Sequence, residues 1–142
     1  HEYCGAKQQH FLDGYQVFGY SPVMFVCEKL RALCQQMPEY VALVKRRPTA
    51  RARDFVDIHT VTEHYDVDYA DNEFARILNR IFEIKRVPLS LLGKIKDTRD
   101  QHIDDFIAVQ NTVYPDFDLQ EFDFYFDYVV KKCELLKTLW NE

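Results

Sequence analysis

The 142 residues predict a mainly α-helical fold, a bundle of five to six helices preceded by a short N-terminal strand. Three observations carry this. Apolar residues recur in steps of three and four over several stretches, the spacing of one buried helix face. Four Gly and five Pro are too few for a loop-rich or all-β chain. Several apolar stretches also open on a capping residue. With 47% hydrophobic and 15% aromatic residues, one core can be filled. Residues 21–142 are expected to form the bundle domain, and residues 1–20 to be a remnant or edge of something that precedes it.

The elements follow in order. Tyr15, Val17 and Phe18 before Gly19 suggest a short strand. It has no sheet partner downstream, so the chain reads as part of a longer polypeptide. Ser21-Pro22 starts the first helix, with Ser at the cap and Pro at the first helical position. Val23, Val26, Cys27, Leu30, Leu33, Cys34 and Met37 form its apolar stripe. Lys29 stands off the stripe, either as a solvated lysine or as a cation aimed into a cleft. Gln35 to Arg47 reads as a link broken at Pro38.

Pro48-Thr49 opens the next helix, with Thr49 as its cap and Phe55, Ile58, Thr62 and Tyr65 on its apolar face. His64 to Asn72 is an acidic turn, and its Asp66-Val67-Asp68 reads as turn and capping chemistry. Asp71 or Asn72 caps a helix carrying Phe74, Ile77, Leu78 and Ile81, which ends at Val87-Pro88. Leu89, Leu91, Leu92 and Ile95 mark a short apolar helix. Asp97 or Thr98 caps another, with Ile103, Phe106, Ile107 and Gln110 on one face, and Pro115 stops it. Asp118 with Glu121 forms a variant capping box for the last helix. Its stripe, Phe122, Phe126, Val129, Cys133, Leu136 and Trp140, lasts about five turns.

A net charge of −5 argues against a surface built broadly for nucleic acid. The charge is uneven. Lys45, Arg46, Arg47, Arg51 and Arg53 form a basic cluster, whereas Asp97 to Asp127 holds nine acidic residues and one basic residue, Arg99. A local phosphate site fits that pattern. Cys4, Cys27, Cys34 and Cys133 make no CxxC pair, so they read as reduced thiols of a cytoplasmic protein. No 18-residue apolar run or signal peptide is present, so neither membrane nor secretion is expected.

Arginines at a helix start oppose the helix dipole by a few tenths of a kcal/mol each. Two explanations stand. Arg53 pairs with Asp57 four residues on as a solvated face, or the arginines serve phosphate. Asp54 and Asp57 are three apart and share a helix face, at the edge of the apolar stripe. His59 and His64 are five apart and do not share a face, so no metal site is expected there; His59 reads as a core-edge histidine packed through its ring.

Tyr20-Ser21-Pro22 with Glu28-Lys29-Leu30-Arg31-Ala32-Leu33, followed by Arg51-Ala52-Arg53-Asp54-Phe55-Val56-Asp57-Ile58, resembles the C-terminal half of the AbiEii family. These are nucleotidyltransferase-like toxins of abortive-infection and toxin–antitoxin systems. The resemblance implies a two-lobed enzyme that transfers nucleotides from NTP to an RNA or protein acceptor, with a cognate antitoxin as partner. An N-terminal α/β lobe carries Gly-Ser and then DxD, which hold Mg²⁺; the helical lobe supplies a lysine and aspartates. Residue by residue, Lys29, Asp54 and Asp57 match the catalytic positions, and Lys29, Arg51 and Arg53 the nucleotide-binding ones. No Gly-Ser-x-DxD precedes Lys29 here, so Mg²⁺ is expected only in the full-length protein and this stretch is expected to be inactive alone. Two alternatives stay open. Arg53 and His59 resemble the Arg–His pair of HEPN ribonucleases, and the acidic half suits a non-enzymatic helical module for a basic partner.

Overall fold

The computed structural model describes residues 21–45 and 47–141. Among them are eight α-helices, two 3₁₀ segments and no strand. The expected strand at residues 15–18, Cys4 and Arg46 lie outside the described residues. The helices are α1 (Pro22–Cys34), α2 (Pro38–Val44), α3 (Ala52–Tyr65), α4 (Asn72–Lys85), α5 (Arg99–His102), α6 (Phe106–Thr112), α7 (Phe122–Glu134) and α8 (Lys137–Trp140). The 3₁₀ segments are Leu89–Asp97 and Ile103–Asp105.

Helix α1 is the hub. It packs against α3, α4 and the first 3₁₀ segment, and α3 packs in turn against α7. Its stripe is legible in burial: Val26, Cys27, Leu30, Leu33 and Cys34 are all inside. Ser21 caps it as the sequence predicts, its Oγ accepting from the Met24 N–H at 3.1 Å. On α3, Phe55, Val56 and Ile58 are fully buried, and Phe55 meets Phe122 and Phe126 of α7 at ring-centroid distances of 5.5 and 5.4 Å. Cys27, Cys34 and Cys133 are buried free thiols, each pushed up in pKa by that burial. No described helix is long and apolar enough to cross a membrane.

Four elements depart from expectation, each for a tertiary reason. Pro38 does not break the chain; it opens α2, which ends at Lys45 in a left-handed conformation (φ 55). Thr49 does not cap α3. Its N–H is taken by Gln36 Oε1 at 2.7 Å, and the helix begins at Ala52. The single helix expected after Thr98 is bent into α5, a 3₁₀ turn and α6, which leaves Ile107 62% exposed and turns His102, Phe106 and Val109 inward. The last helix starts at Phe122, with Glu121 rather than Asp118 at the cap position and no side-chain cap, and pauses at Leu135 and Leu136.

The pause lets Trp140 fold back. Its indole N–H donates to the Cys133 carbonyl at 2.9 Å, and its ring lies on Gly93. A Cβ at Gly93 would come within 2.5 Å of that ring. Gly93→Ala should therefore expel the ring and destabilise by about 1–3 kcal/mol. Trp140 is the sole tryptophan, so a red-shifted emission in the folded variant is the check; unchanged emission and stability would show that the contact is slack.

The Asp66-Val67-Asp68 turn behaves as its composition predicts. Asp66 takes a left-handed conformation (φ 53) at the end of α3, and Asp68 Oδ1 accepts from the Ala70 N–H at 2.9 Å.

Candidate functional site

The crossing of α1 and α3 carries a group of five charged side chains. Lys29 sits one position off the apolar stripe of α1, so its stem is buried and its ammonium reaches the first turns of α3. Lys29 Nζ lies 3.2 Å from Asp54 Oδ1 and 3.6 Å from Asp57 Oδ2. Asp54 accepts on its other oxygen from Arg51 Nε. Arg53 Nε is 3.9 Å from Asp57 Oδ1, the four-residue pairing the helix spacing predicts, but around a fully buried carboxylate rather than on the expected solvated face. Three cations thus meet two carboxylates, and they are layered. Asp57 is fully buried, the Asp54 side chain is 4% exposed, and the side chains of Arg51 and Arg53 are 35% and 30% exposed. The acids are inside and the guanidinium groups form the rim.

Asp57 has no hydrogen bond to either carboxylate oxygen. It is held by ion pairs at 3.6 and 3.9 Å, beyond hydrogen-bond range. Burial pushes its pKa up to about 7, against the opposing pull of Lys29 and Arg53.

The N-terminus of α3 is fastened from far away. His102 Nδ1 accepts from the Arg51 N–H at 2.9 Å, and Asp105 Oδ2 from the Ala52 N–H at 3.0 Å. The bend between α5 and α6 aims both side chains there. His102 also packs on Phe55, ring centroids 5.2 Å apart. An acceptor at Nδ1 must carry no proton, and burial holds His102 neutral, its pKa down at about 4 despite Asp54 and Asp105 nearby. Gln101 Nε2 ties the same segment to the Gln36 carbonyl at 2.6 Å. Neither His102 nor Asp105 stands out in the sequence, because they lie 51 and 53 residues from their partners and belong to no local motif.

These two buried groups have opposite pH signatures. Asp57 is easier to protonate folded than unfolded, so its contribution is fully present below about pH 4 and is lost as pH rises through about 7. His102 is harder to protonate folded, so its contribution is present above its ordinary value of 6.5 and is lost as pH falls through about 4. Between these limits the two slopes oppose. Asp57→Asn should gain stability relative to the parent chain as pH rises from about 4 to 7, whereas His102→Gln should become more costly over the same interval. Urea midpoints at pH 4.5 and 7.5 measure both, and parallel profiles for the two variants would contradict the assignment.

The sequence-predicted residues Lys29, Arg51, Arg53, Asp54 and Asp57 therefore meet at one place. Lys45 and Arg47 are exposed on the approach to α3, and neither is ion-paired with Asp54 or Asp57. Arg53 and His59 are not brought together. Arg53 leans on Asp57, while His59 is half-buried against the rings of Phe124, Tyr125 and Tyr128, at 5.0, 5.3 and 4.6 Å. A Mg²⁺ ion does not fit the cluster, since each carboxylate is already engaged by a lysine and an arginine. Among the described residues, no group of three or more His, Cys, Asp or Glu side chains forms a metal cradle elsewhere.

Chemically, the rim offers two guanidinium groups held in place by buried carboxylates, the arrangement that suits a phosphate chain. Residues 3–128 match the family described as Nucleotidyl transferase AbiEii toxin, Type IV TA system. No curated protein and no solved structure matches the chain with significance.

Proposed function

The chain belongs to the AbiEii family of nucleotidyl transferase toxins of type IV toxin–antitoxin systems, and on that premise we propose that its α1–α3 crossing is the helical side of a nucleotide-transfer site. The observation that carries this is the Lys29 ammonium between Asp54 and Asp57, with Arg51 and Arg53 at the rim. In the proposed role, Arg51 and Arg53 bind the triphosphate of an NTP. Asp54 and Asp57 orient Lys29 and the arginines, and Lys29 balances negative charge that grows during transfer. The acceptor is a hydroxyl of RNA or protein. Its oxygen bonds to the α-phosphorus as its proton passes to solvent, the α–β phosphoanhydride bond breaks, and pyrophosphate leaves.

The carboxylates that hold Mg²⁺ in this reading come from outside these 142 residues, which contain no Gly-Ser pair ahead of a DxD. We therefore expect no Mg²⁺-dependent label transfer from NTP by these residues alone; robust labelling of RNA or protein would contradict that division of labour. A cognate antitoxin is the partner that the family suggests, and the buried free thiols favour a reducing compartment, the cytoplasm.

The test is an NMR titration with ATP. Half a site should bind with a dissociation constant on the order of a millimolar. Binding should weaken as salt rises. Shifts should centre on residues 51–57. Arg51→Gln with Arg53→Gln should remove them, and Lys137→Ala, on α8, should not. No shifts at residues 51–57, or shifts confined to α7 and α8, would show that the cluster only joins α1 to α3.

A further inference from the structure

We infer that the cleft between α3 and the segment leading into α7 is a second binding site, which takes the guanidinium or ammonium group of a basic peptide segment. The cleft has a volume of about 370 Å³. That lies in the range of small-molecule and side-chain pockets. His59 and Glu63 of α3 form one wall; Phe117, Asp118, Phe124 and Tyr125 form the other. It lies away from the Lys29 cluster, whose Asp54 and Asp57 face α1 instead.

Its chemistry selects by charge. Glu63 and Asp118 line it together with His59 and His64, and no Lys or Arg does. Burial lowers the His59 pKa against the opposing pull of Glu63. A triphosphate or an RNA backbone is repelled there, while a cation gains two carboxylates and an aromatic wall. The wall is pre-arranged. The Tyr128 hydroxyl donates to Glu63 Oε2 at 2.5 Å, and the Tyr125 hydroxyl accepts from the Gln120 N–H at 2.9 Å. Phe124 stays 47% exposed at the rim, a large aromatic left uncovered beside two acids. The stretch that supplies Asp118 and Phe124, Asp97 to Asp127, has nine acidic residues against one basic along the sequence. Charge complementarity thus commits the occupant to a basic peptide rather than an acidic or nucleic-acid ligand.

The probe is acetyl-Gly-Arg-Gly-amide, titrated into the full 142-residue chain by NMR, with the Glu and Leu analogues alongside. The Arg peptide should shift the amide signals of His59, Glu63 and Phe124, with a dissociation constant on the order of millimolar. Residues 51–57 should stay still. Glu63→Gln with Asp118→Asn should weaken binding about fivefold or more. Phe124→Ala should weaken it as well; all three residues are exposed, and the variants' melting curves check that they fold. The inference is overturned if no shift appears by about 50 mM, well beyond the millimolar range. It is equally overturned if the Leu or Glu peptide shifts the cleft as strongly, or if ATP binds there.

Discussion

Lys29→Met is expected to destabilise the fold by about 3–5 kcal/mol at pH 8. The melting temperature should fall by roughly 10–15 °C. The reason is what the substitution leaves behind. Asp57 is fully buried without a hydrogen bond, and Lys29 at 3.6 Å is the first of the two cations that keep it ionised there. Asp54 loses its 3.2 Å contact but retains Arg51. At pH 5 the penalty should shrink, because a carboxyl pushed up to about 7 already carries its proton in the folded chain. Combining Lys29→Met with Asp57→Leu should recover most of the loss, since a buried ion pair replaced by apolar groups is often neutral in stability. Urea denaturation of the two single variants and the double at both pH values closes the cycle. If Lys29→Met alone costs under about 1 kcal/mol at pH 8, the pair behaves as a surface salt bridge.

Phe55→Ala should cost a comparable 3–5 kcal/mol at pH 8, where His102 is neutral folded or unfolded. Phe55 is fully buried and touches His102, Phe122 and Phe126 at ring-centroid distances of 5.2, 5.5 and 5.4 Å. It joins three elements, α3, α5 and α7, so no single helix can move in to fill the space. Ile84→Ala, at a 63% exposed position, is the control and should change stability by less than about 0.5 kcal/mol. The two deletions separate cleanly. Lys29→Met acts through charge, and its cost changes between pH 8 and pH 5 with the Asp57 proton; Phe55→Ala acts mainly through a cavity.

How far the sequence reveals this depends on the range of each interaction. The apolar stripes of α1, α3, α4 and α7 are local patterns, and the burial of Val26, Leu30, Phe74, Leu78, Phe126 and Val129 follows them. The meeting of Lys29 with Asp54 was legible because both stand beside their stripes and because two short motifs occur in a family order. Element boundaries were less legible, since the capping groups are distant. Thr49 has the right chemistry for a cap, but Gln36 takes its N–H and His102 takes over at Arg51. The bend at residues 103–105 and the pause before α8 carry no Gly or Pro, and follow instead from where His102 and Trp140 find partners.

The distant fastening of α3 also sets an order of assembly. The arginines at the rim are made early by a ribosome, but the groups that secure their helix start, His102 and Asp105, come about fifty residues later. At roughly 5–20 residues per second that is a delay of several seconds. During it, α1 and α3 can pair through their stripes while the start of α3 is only partly secured: the Asp54 N–H has the Arg51 carbonyl at 3.0 Å, but the Arg51 and Ala52 N–H groups wait for His102 and Asp105. The last two backbone contacts at that helix start thus form only once the acidic segment has emerged and docked. A nascent chain stalled before residue 99 would carry all five charged residues yet lack the acceptors of the Arg51 and Ala52 N–H groups, so the final fastening of the α1–α3 crossing is a late product of synthesis.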